Sequence, residues 1–209
     1  PDCCTPETFA DVRAFHRTLP GYQPTPLVAL PDLAKEVGVK GVYIKDESKR
    51  FGLNAFKALG ASYAIHKLFP DGNVGLTVTA TDGNHGKGMA WSTHRLGGHA
   101  VVFMPAGTVA SRVEAIRAIG DTEVTVTDLN YDGTVATAAA YAKEHGGHLV
   151  QDTAFAGYEE VPENITLGYS TMAAEALEEL AALGVGEPTH TFLQAGVGSM
   201  AGGVAAYLA

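Results

Sequence analysis

Between residues 74 and 152, short β-branched apolar runs alternate with helical stretches, and this alternation constrains the fold more than any other feature. Strands are predicted over 74–80, 99–104, 122–127 and 148–151, with helices over 84–96, 109–119 and 132–144. Strands separated by single helices cannot pair as tight hairpins. They form βαβ units, and so a parallel sheet with right-handed crossovers. Four such strands suffice for a small α/β domain.

The flanking stretches are less regular. Pro6, Pro20, Pro24, Pro26 and Pro31 allow only short helices near the start, over 5–17 and 31–37, and a short strand over 41–45. Asn54 reads as the N-cap of a helix over 55–68, and residues 70–73 as a turn. A long helix is expected over 165–183, with Glu175, Glu178 and Glu179 on a solvated face. A strand over 190–194, a glycine-rich loop and the first turns of another helix over 203–209 follow. Pro1 is not an initiator and the last helix reads as cut off, so a fragment of a longer chain is expected.

Composition narrows the function classes. Of 209 residues, 46% are hydrophobic and 18% charged, which excludes a disordered chain. A formal charge of −9, from 14 basic and 23 acidic residues, disfavours nucleic acid as a partner. No apolar run approaches the roughly 18 residues of a membrane helix, and no basic segment precedes an apolar one at the start. A soluble, cytoplasmic protein without membrane partners is expected. The two cysteines, Cys3 and Cys4, are adjacent and supply no disulfide framework, which fits a reducing compartment.

Three segments suggest chemistry. In Phe51-Gly52-Leu53-Asn54-Ala55-Phe56-Lys57, an N-cap at Asn54 puts Lys57 at the third helical position. That end of the macrodipole disfavours an ammonium, and a lysine with a lowered pKa suits Schiff-base chemistry. A surface lysine is the plain alternative. Thr81-Asp82-Gly83-Asn84-His85-Gly86 lies between a strand and a helix, at the edge where open α/β sheets place ligands. It fails the P-loop pattern, and an ordinary helix start is its alternative. His85, His145 and His148 have no metal-ligand spacing, so no metal is expected. Gly196-Val197-Gly198-Ser199-Met200-Ala201 lies between a predicted strand and a helix, where backbone N–H groups can cradle a phosphate. It also fits the short dinucleotide fingerprint, and close helix–strand packing would explain it equally. A reactive lysine together with a phosphate cradle suits a cofactor bearing both an aldehyde and a phosphate, namely pyridoxal 5′-phosphate.

These three segments resemble the tryptophan synthase β-like, fold-type II pyridoxal phosphate enzymes. Within that group the chain most resembles the diaminopropionate ammonia-lyases. Arg50 to Lys57, Thr81 to Gly86, Asn130-Tyr131-Asp132-Gly133-Thr134 and Gln151-Asp152-Thr153-Ala154 carry the likeness. It runs from about Tyr22 to the last residue. The resemblance implies that Lys57 bonds the cofactor's aldehyde carbon and that Asn84 hydrogen-bonds its ring oxygen. It implies that Gly196, Val197, Gly198, Ser199 and Met200 hold the phosphate. Asp82 stands where dehydratases of the group usually carry Ser, and would act as a base or ammonium ligand. Asp152 would be a second carboxylate near the substrate. The segment between residues 68 and 74 is short for an ammonia-lyase, and such enzymes are considerably longer than this chain.

The expected fold class is α/β: two open parallel-sheet domains with the cofactor between them, the larger one incomplete in this chain. Residues 74–155 would form the small domain, and 1–73 with 156–209 part of the large one. The expected reaction is α,β-elimination of ammonia from 2,3-diaminopropionate, a small amino-acid substrate, by a homodimer. The alternatives are a threonine or serine dehydratase, a Rossmann-type NAD-dependent enzyme using the loop at 196–203, and a binding module without activity.

Overall fold

The chain is described by a computed structural model covering residues 3–120 and 122–209. Helix α1 (Pro6–Thr18) starts at Thr5, whose hydroxyl accepts a hydrogen bond from the Thr8 N–H. Strands β1 (Leu27–Ala29) and β2 (Tyr43–Lys45) pair antiparallel around the short α2 (Pro31–Val37). A 3₁₀ turn over Glu47–Gly52 leads to α3 (Lys57–Leu68).

The regular alternation follows: β3 (Leu76–Ala80), α4 (Asn84–Arg95), β4 (His99–Met104), α5 (Ala110–Arg117), β5 (Thr122–Val126), α6 (Tyr131–Glu144) and β6 (His148–Leu149). All four strands are parallel, in the order β5-β4-β3-β6. The chain steps outward from β3 through β4 to β5 and then returns to the far side of β3. The order therefore reverses between β3 and β6, and a crevice opens beyond their carboxyl ends. The expectation of a parallel α/β sheet over 74–152 holds.

Both faces of this sheet are covered, which explains why its strands read as nearly continuous apolar runs. Val78, Ala80, Val101 and Phe103 pack on Ala138 and Ala142 of α6. On the other face Ala100, Val102 and Met104 join Met89, Ala90, Val113 and Ile116. That cluster continues into Leu59 and Ile65 of α3 and into two later helices, α7 (Glu160–Gly168) and α8 (Ser170–Ala182). Helix α9 (Ser199–Leu208) completes the layer.

Helix α3 is gripped from two sides by close backbone approach. A Cβ on Gly60 would stand 2.7 Å from the Ile165 carbonyl oxygen, and one on Gly168 2.6 Å from that of Leu59. A Cβ on Gly88 would stand 2.7 Å from the Ala58 nitrogen and the Lys57 carbonyl carbon. Side chains at these positions would push α7 and α4 off α3.

Several expectations are corrected. Asn54 is not an N-cap: it sits in a turn with φ 55°, a conformation that asparagine tolerates better than most residues, and α3 begins at Lys57. Lys57 is thus the first helical residue rather than the third. The helix expected over 165–183 starts earlier and is divided at Tyr169. There the Tyr169 N–H bonds the Thr166 carbonyl and Met172 N–H the Tyr169 carbonyl, tightening the turn. Residues 190–194 form no strand: Phe192 is 92% exposed, and among the described residues no strand lies beside the segment to pair with it. The second parallel sheet is therefore not formed among the described residues.

The largest correction concerns Glu175, which is fully buried rather than solvated. Arg50 donates to both its carboxylate oxygens, at 2.9 and 2.8 Å. Tyr22 OH (2.6 Å), Arg13 (3.2 Å) and the Thr25 N–H (3.2 Å) donate as well, and Lys45 Nζ lies at 3.0 Å. One carboxylate on α8 thereby ties together α1, the β1–β2 arm and the turn before Lys57. Burial would raise the Glu175 carboxyl, but hydrogen bonds and charge from Arg50, with Lys45, outweigh it and hold it below its ordinary value. A depressed carboxyl stabilises the fold above the ordinary glutamate value of about 4.5. That contribution is lost as pH falls through the lower folded-state value. Glu175→Gln in the protein carrying this chain is expected to cost about 3–5 kcal/mol at neutral pH, by stranding buried cations. Urea unfolding measures it; a loss below about 1 kcal/mol, within the range of an exposed pair, would contradict the account.

Candidate active site

The crevice beyond β3 and β6 is a cleft of about 520 Å³, and it gathers the chemistry-bearing segments. Lys57 reaches it from the first turn of α3. Asp82 reaches it from the turn between β3 and α4, Asn84 and His85 from the first turn of α4, and Asp152 from the segment after β6. Gly196 and Val197 close it from the loop before α9. Lys87, Arg112 and Tyr131 also line it.

Lys57 Nζ donates to Asp152 Oδ2 at 2.6 Å. The ammonium also lies 5.6 Å from the Phe56 ring centre and 5.9 Å from that of Tyr169, so two aromatic faces add to the carboxylate. Asp152 is buried. Burial alone would raise its carboxyl, but His85 and Lys57 outweigh burial and hold it below the ordinary value. The neighbouring Gln151 is a buried strut: its side-chain oxygen accepts from Ala80 N–H and Thr79 Oγ1, and its amide donates to Tyr131 OH at 2.8 Å. Burial, followed by the Asp152 and Asp82 charges, pushes the Tyr131 hydroxyl up to about 12, so it faces the cleft as a neutral phenol.

The start of α9 follows directly on the Gly196–Val197 loop that lines the cleft. Gly198 caps it in the left-handed region at φ 95°, and the first backbone bond inside the helix runs from Gly202 N–H to the Gly198 carbonyl. The N–H groups of Ser199, Met200 and Ala201 therefore precede that ladder, the usual anion-binding end of a helix. Ser199 Oγ donates to the Asp152 carbonyl at 2.8 Å, which binds the loop to the same segment that carries the carboxylate.

The family model for "Pyridoxal-phosphate dependent enzyme" matches residues 18–209. The chain belongs to that family. It is 49% identical to the diaminopropionate ammonia-lyase of Escherichia coli strain K12, over 94% of this chain and 53% of that protein. It is 31% identical to a biosynthetic L-threonine dehydratase of Haemophilus influenzae, over 95% of this chain and 36% of that one. A crystal structure of holo diaminopropionate ammonia lyase from Escherichia coli superposes with a TM-score of 0.93 at 46% identity, covering all of this chain and 58% of that one. The chain thus spans about half the length of the curated ammonia-lyases it matches.

Pyridoxal phosphate is the cofactor of this family, and the cleft fits it. A lysine that can meet an aldehyde lines it, and a helix start with free N–H groups adjoins it. A Cβ placed on Gly196 would have nothing within 4 Å, so the loop leaves open space where a phosphate needs it. Lys57, Asp82, Asn84, Asp152, Gly196 and Val197 all line the one cleft, as the motifs imply. Gly198, Ser199 and Met200 sit at the helix start behind its rim. Sequence reasoning set His85 aside once a metal role failed. Its signal was the position itself, a histidine at the buried start of a helix in a glycine-flanked turn. Lys87, just after the Thr81–Gly86 motif, lines the same cleft and donates from Nζ to the Leu53 carbonyl at 2.8 Å.

Gly196 offers a cleaner probe of the cradle than Gly198, whose left-handed φ would strain any side chain. Gly196→Val is expected to weaken pyridoxal phosphate retention by about tenfold or more, roughly 1.4 kcal/mol, with little change in Tm. Cofactor titration beside a melting curve measures both; unchanged retention would remove the loop from the cofactor site.

Proposed function

We propose that the protein carrying this chain eliminates ammonia from 2,3-diaminopropionate, using pyridoxal phosphate and releasing pyruvate. The observation that carries this reading is a pair of carboxylates, Asp82 and Asp152, sharing one cleft with Lys57. A β-amine leaves well only as ammonium, and a carboxylate can hold it in that form. A hydroxyl leaving group needs a proton donor but no such anchor, so Asp82 favours the diamine over serine or threonine. Half-length similarity to diaminopropionate ammonia-lyases supports the same choice.

In this reading Lys57 would hold the cofactor at its aldehyde carbon, and its amine, once free, would take the α-proton from one face. Asp82, from the turn before α4, would take it from the other. Asp152 holds Lys57 in place and attracts the substrate's ammonium. Ser199, Met200 and Ala201 would bind the phosphate through N–H groups, Gly196 to Gly198 would shape the loop, and Asn84 would hydrogen-bond the ring oxygen. The cofactor supplies the electron sink for charge developing at Cα. The net reaction consumes one water and yields pyruvate and two ammonia. The division into a small domain over 74–155 and a large one from the remainder belongs to this reading. So do a homodimer and a cytoplasmic location. Exposed Val28, Leu33 and Ile44 on the β1–β2 arm and α2 support the former, and the free thiols Cys3 and Cys4 the latter.

The test is pyruvate release from each enantiomer. Asp82→Asn is expected to slow the D-isomer by about 10²-fold or more, the size of losing a general base, while Lys57 still serves the L-isomer. Equal losses would reduce Asp82 to an ammonium ligand. Faster turnover of serine than of diaminopropionate by the unaltered protein would overturn the substrate assignment.

A further inference from the structure

We propose that His85 and Asp152 form a proton-holding pair, in which His85 Nδ1 receives the proton that Lys57 Nζ gives up. The timing rests on the elimination reading above, but the pair itself rests on geometry. His85, the second residue of α4, is buried. Its Nε2 lies 2.7 Å from the Val150 carbonyl, which can only accept, so that nitrogen carries hydrogen in every protonation state. Nδ1 is therefore the basic nitrogen. It is buried without a hydrogen-bond partner, 3.6 Å from Asp152 Oδ2. The same oxygen accepts from Lys57 Nζ at 2.6 Å. One carboxylate oxygen thus stands between the Lys57 amino group and an imidazole nitrogen that no hydrogen bond engages.

The step balances without a co-reactant. An Nζ–H bond breaks and the proton passes across Asp152 Oδ2 to form Nδ1–H. Lys57 ends as a neutral amine, Asp152 as a carboxylate and His85 as an imidazolium, with the total charge unchanged. The physical reason is that a buried carboxylate cannot cheaply stand without a cation. When Lys57 loses its charge, His85 supplies the replacement within reach.

The other groups around the pair do not compete. Tyr131 of α6, Tyr158 after β6 and Tyr169 between α7 and α8 are neutral phenols, pushed up by burial and by the Asp152 charge. Among the cations in the cleft, Lys87 Nζ is directed to the Leu53 carbonyl and Arg112 to the Asp82 carbonyl. Asp82 is exposed on the turn before α4.

The test is ¹⁵N NMR of histidine rings in the protein carrying this chain, with cofactor removed, at pH 7. His85 is assigned by its loss in His85→Gln. Lys57→Met is expected to raise the ratio of doubly protonated to neutral His85 by about tenfold or more, the equivalent of one pKa unit. Lys57→Gln serves the same purpose if the methionine variant does not fold. Lys57→Arg keeps the charge and is expected to leave His85 as in the unaltered protein. Adding Asp152→Asn to Lys57→Met is expected to abolish the rise. An unchanged His85 in Lys57→Met, or a rise that survives Asp152→Asn, would overturn the pair. In the cofactor-loaded protein, His85→Gln keeps a donor for Val150 but lacks Nδ1. It is expected to lower kcat for pyruvate release about 10- to 100-fold with KM and cofactor retention near normal; unaltered kcat would overturn the proposal. Absent ammonia-lyase activity in the unaltered protein, with the NMR response intact, would remove the reaction reading and leave the pair standing.

Discussion

The amino end of α3 passes so close to α4 that Gly88 has no room for a side chain, and the arrangement of the cleft depends on that contact. A Cβ at Gly88 would stand 3.0 Å from the Lys57 Cβ itself. On its other side α3 crosses α7 through Gly60 and Gly168, again backbone against backbone. Packing this tight fixes helix position to a fraction of an ångström, because there are no flexible side chains to absorb a shift. It places Lys57 at the crevice where strand order reverses, within reach of a carboxylate delivered by the segment after β6. The turn leading into α3 is held separately. Phe51, at φ 50°, stacks on Trp91 with ring centres 4.2 Å apart, while Arg50 anchors the turn to the buried Glu175. An aromatic residue in the left-handed region is strained, and it persists here because both neighbours restrain it.

The electrostatics of the cleft run against those of the chain. A net-acidic protein gathers Lys57, Lys87 and Arg112 around one crevice, beside Asp82 and Asp152. Asp152 orients the lysine, and in the proposed function the cations would attract a phosphate-bearing cofactor while the carboxylates would receive ammonium groups. Asp152 links these functions. Its side chain pairs with Lys57 and faces His85, and its backbone carbonyl accepts from Ser199 at the start of α9.

What was legible in the sequence follows from which interactions are local. The strands of the parallel sheet are buried on both faces, so their apolar runs announce them, and the turn at Thr81 to Gly86 follows directly from β3. The residues that meet in the cleft are motif residues at the ends of such elements, and topology brings them together. Asn54 misled because a capping residue and a left-handed turn residue look alike until the chain around them is known. Glu175 misled for a different reason. Its helical spacing suits a wet face, and only partners far away in sequence, led by Arg50 at 125 positions, make its burial tolerable. The strand expected over 190–194 has suitable residues, but a strand is defined by its neighbour, and none lies beside it among the described residues.

The central claim is that close packing of α3 makes Lys57, and not the nearby Lys87, the residue that bonds the cofactor. Borohydride reduction of the cofactor-loaded protein followed by peptide mapping tests it directly. The pyridoxyl group is expected on Lys57, with no label in Lys57→Ala. Label on Lys87, or reduction that persists in Lys57→Ala at full stoichiometry, would contradict it.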